Sequence, residues 1–572
     1  MNNAASEAER GAQGRRGMAV DPVARAAVKA LMASPRDYDT AVANYRFDCP
    51  ENFNFAFDVI DDIAQNRDKT AVLAVSGDGE HVAEYSYGDL SARSSRFANM
   101  LSGLGLEKGD YAVLVAGRVI GWYDAIFGCM KRGVISLPGT TQLTAKDIAY
   151  RVNATRARAV IVTPDHCAKV DQIRAECPSL EVFIVLGPEQ AGWSSAEVLA
   201  AAAAPEVAPE DHPRTRRDEV MMGYFTSGTT GMPKMVPRDY SYALAHASTA
   251  LFWMDLTRAD RHWTLTDTGW AKAAWGMLFP QFLAETTVIL FNGTGFDADL
   301  HLRLIAKLGV TTFCAPPTVY RVFAQMDLSG YDLASIRRSL GAGEPLNPEV
   351  IRFWQDHTGT LIADGYGQTE TLNIIGNFPS KPVKIGATGL PVPGLDMRVV
   401  DDEGRECATG EVGNIAMRAT DPWPPGLFSG YYTPEGPDRK AFRHGWYYTG
   451  DTARRDEDGY FWFVGRADDL ITSSGYRISP FEVESTLLEH EAVAESAVIG
   501  LPDPERGEVV TAYIILIKGY EGSDDLVKEI QAFCREKTAP YKYPRRIHFV
   551  TELPKTISGK IRRVELRAKG GQ

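Results

Sequence analysis

The sequence predicts an α/β protein with a large N-terminal domain built on parallel sheets, a β-rich subdomain after it, and a small α+β domain at the C-terminus. Three observations carry this. Short β-rich runs end in Gly, Pro or Asp, amphipathic stretches long enough for helices lie between them, and the texture of the chain changes near residue 395 and again near 467–469.

The runs DYAVLVAG (110–117), RAVIVTP (158–164), LEVFIVLG (180–187) and VTTFCAPP (310–317) each read as a buried strand, because a short apolar run bounded by turn residues leaves no face for water. Amphipathic segments at 88–104 and 144–157 read as the helices between strands. That β-helix-β rhythm implies a parallel sheet. After 395, Gly, Pro and aromatic residues crowd the interval from Pro422 to Gly465, a composition of short strands and tight turns. Further on, Ser479-Pro480-Phe481-Glu482 offers an N-cap, a proline at the first helical position and a capping-box glutamate. Strand-like runs at 497–500 and 511–519 follow, then a helix with Leu526, Ile530 and Phe533 on one face. The expected divisions are a disordered leader over 1–22, a large domain over 23–467 and a small one over 468–572.

Composition narrows the function. A chain of 572 residues, 44% hydrophobic, exceeds what one core usually holds. A net charge of −13 argues against a constitutive nucleic-acid binder, whose phosphate affinity needs clustered Lys and Arg. The seven scattered cysteines lack metal-type spacing, so neither a disulfide framework nor a zinc site is expected, and a reducing, cytoplasmic location fits. The first residues, MNNAASEAERGAQGRRGMAV, are polar, and no apolar region follows Arg15-Arg16. No stretch reaches the ~18 apolar residues of a membrane span.

The strongest chemical signal is the run from Tyr224 to Lys234, which holds Thr226, Ser227, Gly228, Thr229, Thr230, Gly231 and Lys234. Its hydroxyls, glycines and closing lysine suit a loop that wraps phosphate oxygens. The Walker A spacing is absent.

With this run, DGYGQTE (364–370), YYTGD (447–451), GYFWFVGRADDLITSSGYRISPFEVE (459–484) and PKTISGKIRR (554–563) resemble, in order and spacing, the motifs of the adenylate-forming superfamily. Within it the chain is similar to the acyl-CoA synthetases of medium-chain and acetyl type, from about Asn44 to Arg567. The resemblance implies an N-terminal domain that binds ATP and acid, a mobile C-terminal domain, and a two-step reaction. A carboxylic acid and ATP form acyl-AMP and pyrophosphate, and coenzyme A then takes the acyl group.

What the resemblance implies for single residues follows the chemistry. The first step must hold two anions together and neutralise phosphoryl charge. The loop 226–234 would hold the β- and γ-phosphates, Thr369 would touch the α-phosphate, and Glu370 would hold Mg²⁺. Gly343, Glu344, Pro345, Asp364, Gly365, Tyr366, Gly367 and Gln368 would surround the nucleotide, with Asp451 on the ribose hydroxyls and Arg466 assisting. Lys560 would reach between carboxylate and α-phosphate, and Asp468 matches the hinge. Ser474, Gly475 and Tyr476 would line the pantetheine tunnel, and Arg477, Arg506 and Arg535 match positions that bind CoA or its phosphates.

The acid is less determined. Gly367 falls where acetate-specific relatives carry Trp, so a glycine there would open the pocket floor to a medium-chain, branched or aryl acid. Gln142, Trp270, Trp275 and Gly341 would form walls, although both tryptophans also fit plain core. The partners implied are the acid, ATP and CoA, with no nucleic acid. The oligomeric state stays open, a homodimer among the options. The alternatives are an adenylating enzyme that loads a carrier protein, a benzoate-type ligase, a luciferase-type oxidation, and a non-catalytic nucleotide sensor. The CoA-type arginines oppose the carrier and luciferase readings, and the presence of Lys234, Glu370 and Lys560 opposes the sensor.

Overall fold

The computed structural model describes residues 21–65, 69–226, 232–344, 346, 348–474, 476–555 and 561–570, and for Arg477 and Lys569 the backbone alone. Two large sheets form the N-terminal body. One has seven strands, in the spatial order Ser194–Ser195, Val182–Val185, Ala159–Val162, Tyr111–Val115, Ile135–Gly139, Val220–Thr226, Lys234–Asp239. Its pairs are parallel except the last, an antiparallel hairpin. The three central strands are buried almost end to end. Helices cover both faces of such a sheet, which is why these runs are apolar without alternation.

The second sheet has nine strands, with Arg338–Ala342 and Ile362–Gly367 side by side and parallel near one edge. Beyond them the polypeptide doubles back antiparallel through Asn373–Gly376. Both sheets are thus mainly parallel, with antiparallel strands at their margins.

Helix starts follow their caps. Tyr87–Gly103 begins on a capping box between Ser86 and Asp89, Ala145–Thr155 on one between Thr144 and Asp147, and Pro480–Leu487 on the Ser479 side chain. Each such cap contributes ~1 kcal/mol. The first described helix, Pro22–Met32, starts on Asp21 and so begins inside the stretch 1–22 that the sequence assigns to a leader. All seven cysteines are free, and no helix among the described residues is long and apolar enough to cross a membrane.

The β-rich segment after residue 395 is an antiparallel five-stranded sheet, in which Trp446–Arg455 pairs with Phe461–Arg466 and sets Asp451 opposite Arg466. The C-terminal sheet has Gly507–Leu516 at its centre, flanked by Val493–Asp503 and Arg546–Phe549. Pro480–Leu487 and Asp524–Lys537 cover it through Val483, Leu487, Leu526 and Ile530. A partly buried ion network ties its last helix down. Arg563 Nη2 reaches both Glu484 carboxylate oxygens at 2.7 and 2.8 Å, and Asp469 accepts from Arg567 at 2.6 Å and lies 3.7 Å from Arg563. Removing one partner of such a pair typically costs about 3–5 kcal/mol.

Candidate active site

The hairpin Val220–Thr226 and Lys234–Asp239 brings the ends of the phosphate-type loop together, with Thr226 paired to Lys234. Lys234 is half exposed, 3.4 Å from Asp438 and 4.7 Å above the Tyr431 ring. A pair this open contributes at most ~1 kcal/mol, so the arrangement aims the ammonium more than it stabilises the fold. The Tyr431 hydroxyl donates to Glu370 Oε1 at 2.6 Å. Burial and the Glu370 carboxylate push this phenol far above its ordinary range, which keeps it a donor. The Glu370 turn is fastened from behind. Its carbonyl accepts from Arg238 at 2.9 Å and from the Phe428 amide at 2.9 Å, and Arg238, fully buried, lies over the Tyr242 ring and also donates to the Gly426 carbonyl.

Asp451 anchors a second cluster. Its Oδ2 accepts from the Tyr366 hydroxyl at 2.6 Å and from Gln368 Nε2 at 2.9 Å, while Arg466 stands 3.7 Å from Oδ1. Gln368 is itself fixed by the Thr449 carbonyl and the Tyr447 hydroxyl. Asp468, assigned to the hinge, accepts from Arg466 at 3.1 Å. Thr369 lies between Gln368 and Glu370 and so joins the two clusters along the chain.

Alongside runs a crevice lined by Leu346, Asp364, Asn377, Phe463 and, from the helix Pro480–Leu487, Phe481. Burial lifts the Asp364 carboxyl to about 7. Glu344 pairs with Arg321 at 3.0 Å. Gly343 has φ +110°, a left-handed value that favours glycine. A Cβ on Gly365 would lie 2.3 Å from the Trp253 ring, so only glycine lets that indole approach.

On the acid side, three contacts gather the predicted wall. Thr141 donates to Asp267 at 3.1 Å, which joins the segment of Gln142 to that of Trp270. Lys272 donates to the Ala342 carbonyl at 3.1 Å, which docks the Trp270 segment on the turn of Gly341 and Gly343. Trp275 meets Gly367: a Cβ there would lie 2.1 Å from the Leu372 carbonyl oxygen and 2.6 Å from Cη2 of Trp275. The space expected to be open beside Gly367 is filled by the Leu372 backbone and the tip of the Trp275 indole.

Among the CoA-assigned residues, the Ser474 amide donates to the Arg506 carbonyl and Arg506 Nη1 to Ser474 Oγ at 3.4 Å. Tyr476, half exposed, stacks on Tyr541 at 4.2 Å, and Arg535 lies 4.1 Å above the Tyr543 ring. Ser227, Gly228, Thr229, Thr230, Gly231, Pro345, Gly475 and Lys560 lie outside the described residues, as does the Arg477 side chain.

Sequence reasoning gave no role to Tyr431, Asp438, Arg238 and Lys272, and quoted Tyr447 within YYTGD without assigning it one. Each acts through a partner far away in the chain, which no local pattern reveals.

A family described as AMP-binding enzyme matches residues 60–432, and its C-terminal domain matches 482–560. The mitochondrial acyl-coenzyme A synthetase ACSM3 of Mus musculus is 40% identical over 544 residues, 93% of each chain. The mitochondrial ACSM5 of Homo sapiens is 42% identical over 532 residues, 91% of each. Among solved structures, an anthranilate CoA ligase, AuaEII, in complex with anthranoyl-AMP superposes with a TM-score of 0.83 at 32% identity, covering 91% of this chain and 98% of that one. A Brucella canis acyl-CoA synthetase gives 0.73 at 33%, covering 94% and 99%. The names of the relatives overturn one expectation, since they point to mitochondria where scattered free cysteines pointed to the cytoplasm. A reducing compartment is all that free cysteines specify.

Proposed function

The chain belongs to the AMP-binding enzymes, and from that premise we propose how its residues divide the work. It is an ATP-dependent acid:CoA ligase, an acyl-CoA synthetase that forms acyl-AMP and pyrophosphate, then acyl-CoA and AMP, with ATP, Mg²⁺ and CoA as cofactors. The observation that carries the division is the contact series Lys234, Tyr431, Glu370, set beside the Asp451 cluster. It sets a phosphate-directed cation, a buried hard-oxygen donor and a hydroxyl-accepting carboxylate along one edge.

Lys234 and the loop before it hold the β- and γ-phosphates, and Asp451 accepts from the ribose hydroxyls with Tyr366 and Gln368 fixing its orientation. Glu370 fits Mg²⁺ as a buried carboxylate oriented by the Tyr431 hydroxyl on Oε1, and magnesium commonly binds through one or two carboxylates plus nucleotide phosphates. When bound there, the ion neutralises phosphate charge. Lys560 delivers the charge that stabilises attack of the acid on the α-phosphorus. The C-terminal domain then turns about Asp468 and brings Ser474, Tyr476, Arg506 and Arg535 to the thioester step.

The acid is medium-chain, branched or aryl in class. The neighbour bound to anthranoyl-AMP acts on an aryl acid, which supports aryl acids as candidates here. The test is pyrophosphate release across a panel of acids, with and without CoA. Release that depends on acid, with thioester formed only when CoA is present, is the expected result. Thioester formation on a carrier protein in preference to CoA would refute the reading.

A further inference from the structure

Arg238 is a cation held in the core without a carboxylate. It is 1% exposed, and among the described residues it forms no ion pair. Its guanidinium meets the carbonyls of Glu370 and Gly426 and lies 3.6 Å from the centre of the Tyr242 ring. Burying a charge with no opposite charge beside it is costly. A position that only filled space would be served at lower cost by Met or Leu, so the reason for an arginine lies in what its fork joins.

Three segments meet on it, and each carries a residue of the phosphate end of the site. Arg238 lies on the strand Lys234–Asp239, four residues after Lys234. Its Nη1 donates at 2.9 Å to the Glu370 carbonyl, and its Nη2 donates to the Gly426 carbonyl, at the start of the segment that bears Tyr431. Gly426 has φ +73°, and a Cβ there would lie 2.2 Å from the Leu372 side chain, so glycine lets this segment close on the Glu370 turn. The Phe428 amide then reaches the Glu370 carbonyl at 2.9 Å, and the Tyr432 amide reaches the Met235 carbonyl at 2.9 Å. Residues 426–432 thus form a strap, tied to the Lys234 strand at both ends and to Glu370 between them. The Tyr242 ring is set against the guanidinium by the start of the helix Tyr240–Ala245, where Asp239 accepts from the Tyr242 amide at 2.9 Å.

We infer that Arg238 is a positioning residue for the magnesium site. By holding the Glu370 turn and the strap together, it sets the Glu370 carboxylate against the Tyr431 hydroxyl and keeps both in register with Lys234. It acts through these groups and touches neither metal nor nucleotide. This rests on the acid:CoA ligase reading, with Glu370 as the Mg²⁺ ligand. A planar fork reaches two carbonyls from two nitrogens, whereas a lysine offers all its donors from one point. Groups that orient a metal ligand from behind typically contribute about 10–100-fold in metal affinity.

The experiment measures ATP binding by isothermal titration calorimetry, in the absence of acid, with and without saturating Mg²⁺. It compares the wild type with Arg238→Met and Arg238→Lys, each checked for a cooperative thermal transition. The gain in ATP affinity that Mg²⁺ gives should fall about 10–100-fold in Arg238→Met and less in Arg238→Lys. A second readout separates positioning from general damage: conversion of supplied acyl-AMP and CoA to thioester, a step with no pyrophosphate to place, should keep the wild-type rate in both variants. If Arg238→Met does not fold, Arg238→Lys carries the test. A folded Arg238→Met with the wild-type gain, or in its place an Arg238→Lys with that gain, overturns the inference and leaves the ligase reading standing. So does a variant in which adenylation and thioester formation fall together. A wild type that releases no pyrophosphate with any acid overturns the ligase reading and this inference with it.

Discussion

The strand Ile362–Gly367 and the turn after it join the two regions of the proposed site, and the two are built on opposite terms. On the nucleotide side, Tyr366 and Gln368 converge on Asp451, and Gln368 is held in turn by Tyr447 and Thr449. The polar atoms there hold one another. On the acid side, Gln281 Oε1 and Trp275 Nε1 are buried with no hydrogen-bond partner among the described residues. Buried polar groups are usually paired, so such exceptions ask for a reason. The difference teaches which region is preorganised for a constant ligand and which is shaped by packing. A constant ligand rewards a network paired around its carboxylate, while a wall made by packing can be retuned by one substitution.

The largest effect that sharpens this contrast belongs to Lys560→Ala. Removing the charge at the developing transition state should lower adenylation ~10²–10³-fold. Conversion of supplied acyl-AMP and CoA to thioester should be spared, and equal loss in both half-reactions would break the division of labour. Next comes Asp451→Ala, which takes the acceptor from the Tyr366 hydroxyl and from one N–H of Gln368 and should lower kcat/KM for ATP about a hundredfold. It should do so equally for benzoate and octanoate. A changed acid ratio in that variant would show that the two regions are not separable. Tyr431→Phe deletes one hydrogen bond to a carboxylate and should cost about tenfold in the same parameter, with a raised Mg²⁺ requirement in a titration of rate against magnesium.

The smallest effect is on stability. Burial raises the Asp364 carboxyl from 3.8 to about 7, so the folded state favours the protonated form. Its contribution to stability is full below about pH 4, falls as pH rises toward 7, and is level above. Asp364→Asn should flatten that part of the stability curve, seen as a smaller drop in Tm between pH 5 and pH 8 than in the wild type. Identical drops in both proteins would rule out Asp364 as the source.

Much of the fold is legible in the order of the amino acids. Runs such as 110–117 and 158–164 fold as the buried strands Tyr111–Val115 and Ala159–Val162, because a continuous apolar run of that length has few alternatives. Ser479 caps the helix that its spacing to Glu482 predicts. The nucleotide side is legible for a related reason, since its residues sit in contiguous motifs. The acid side is not, because Trp275 and Gly367 meet only in space and the π-helical turn at Ala274–Leu278 that aims the indole has no local sequence signature. A glycine read alone looks like an open door, and only the opposing wall shows what fills it.

The ion network at the base of the last helix has a mechanical consequence. Asp469 follows the proposed hinge residue directly, and its carboxylate grips Arg567, 98 residues further along the chain, and Arg563. Both arginines lie just beyond the segment that carries Lys560. A torsional change at Asp468 would thus reach that segment through a short charged link as well as through the long path of intervening backbone. The lysine would leave the reaction centre in step with the rotation, as a lever follows its axle. Partly buried pairs are screened far less than surface ones, so the timing of the two half-reactions should hold at salt concentrations that already loosen the exposed Lys234 and Asp438.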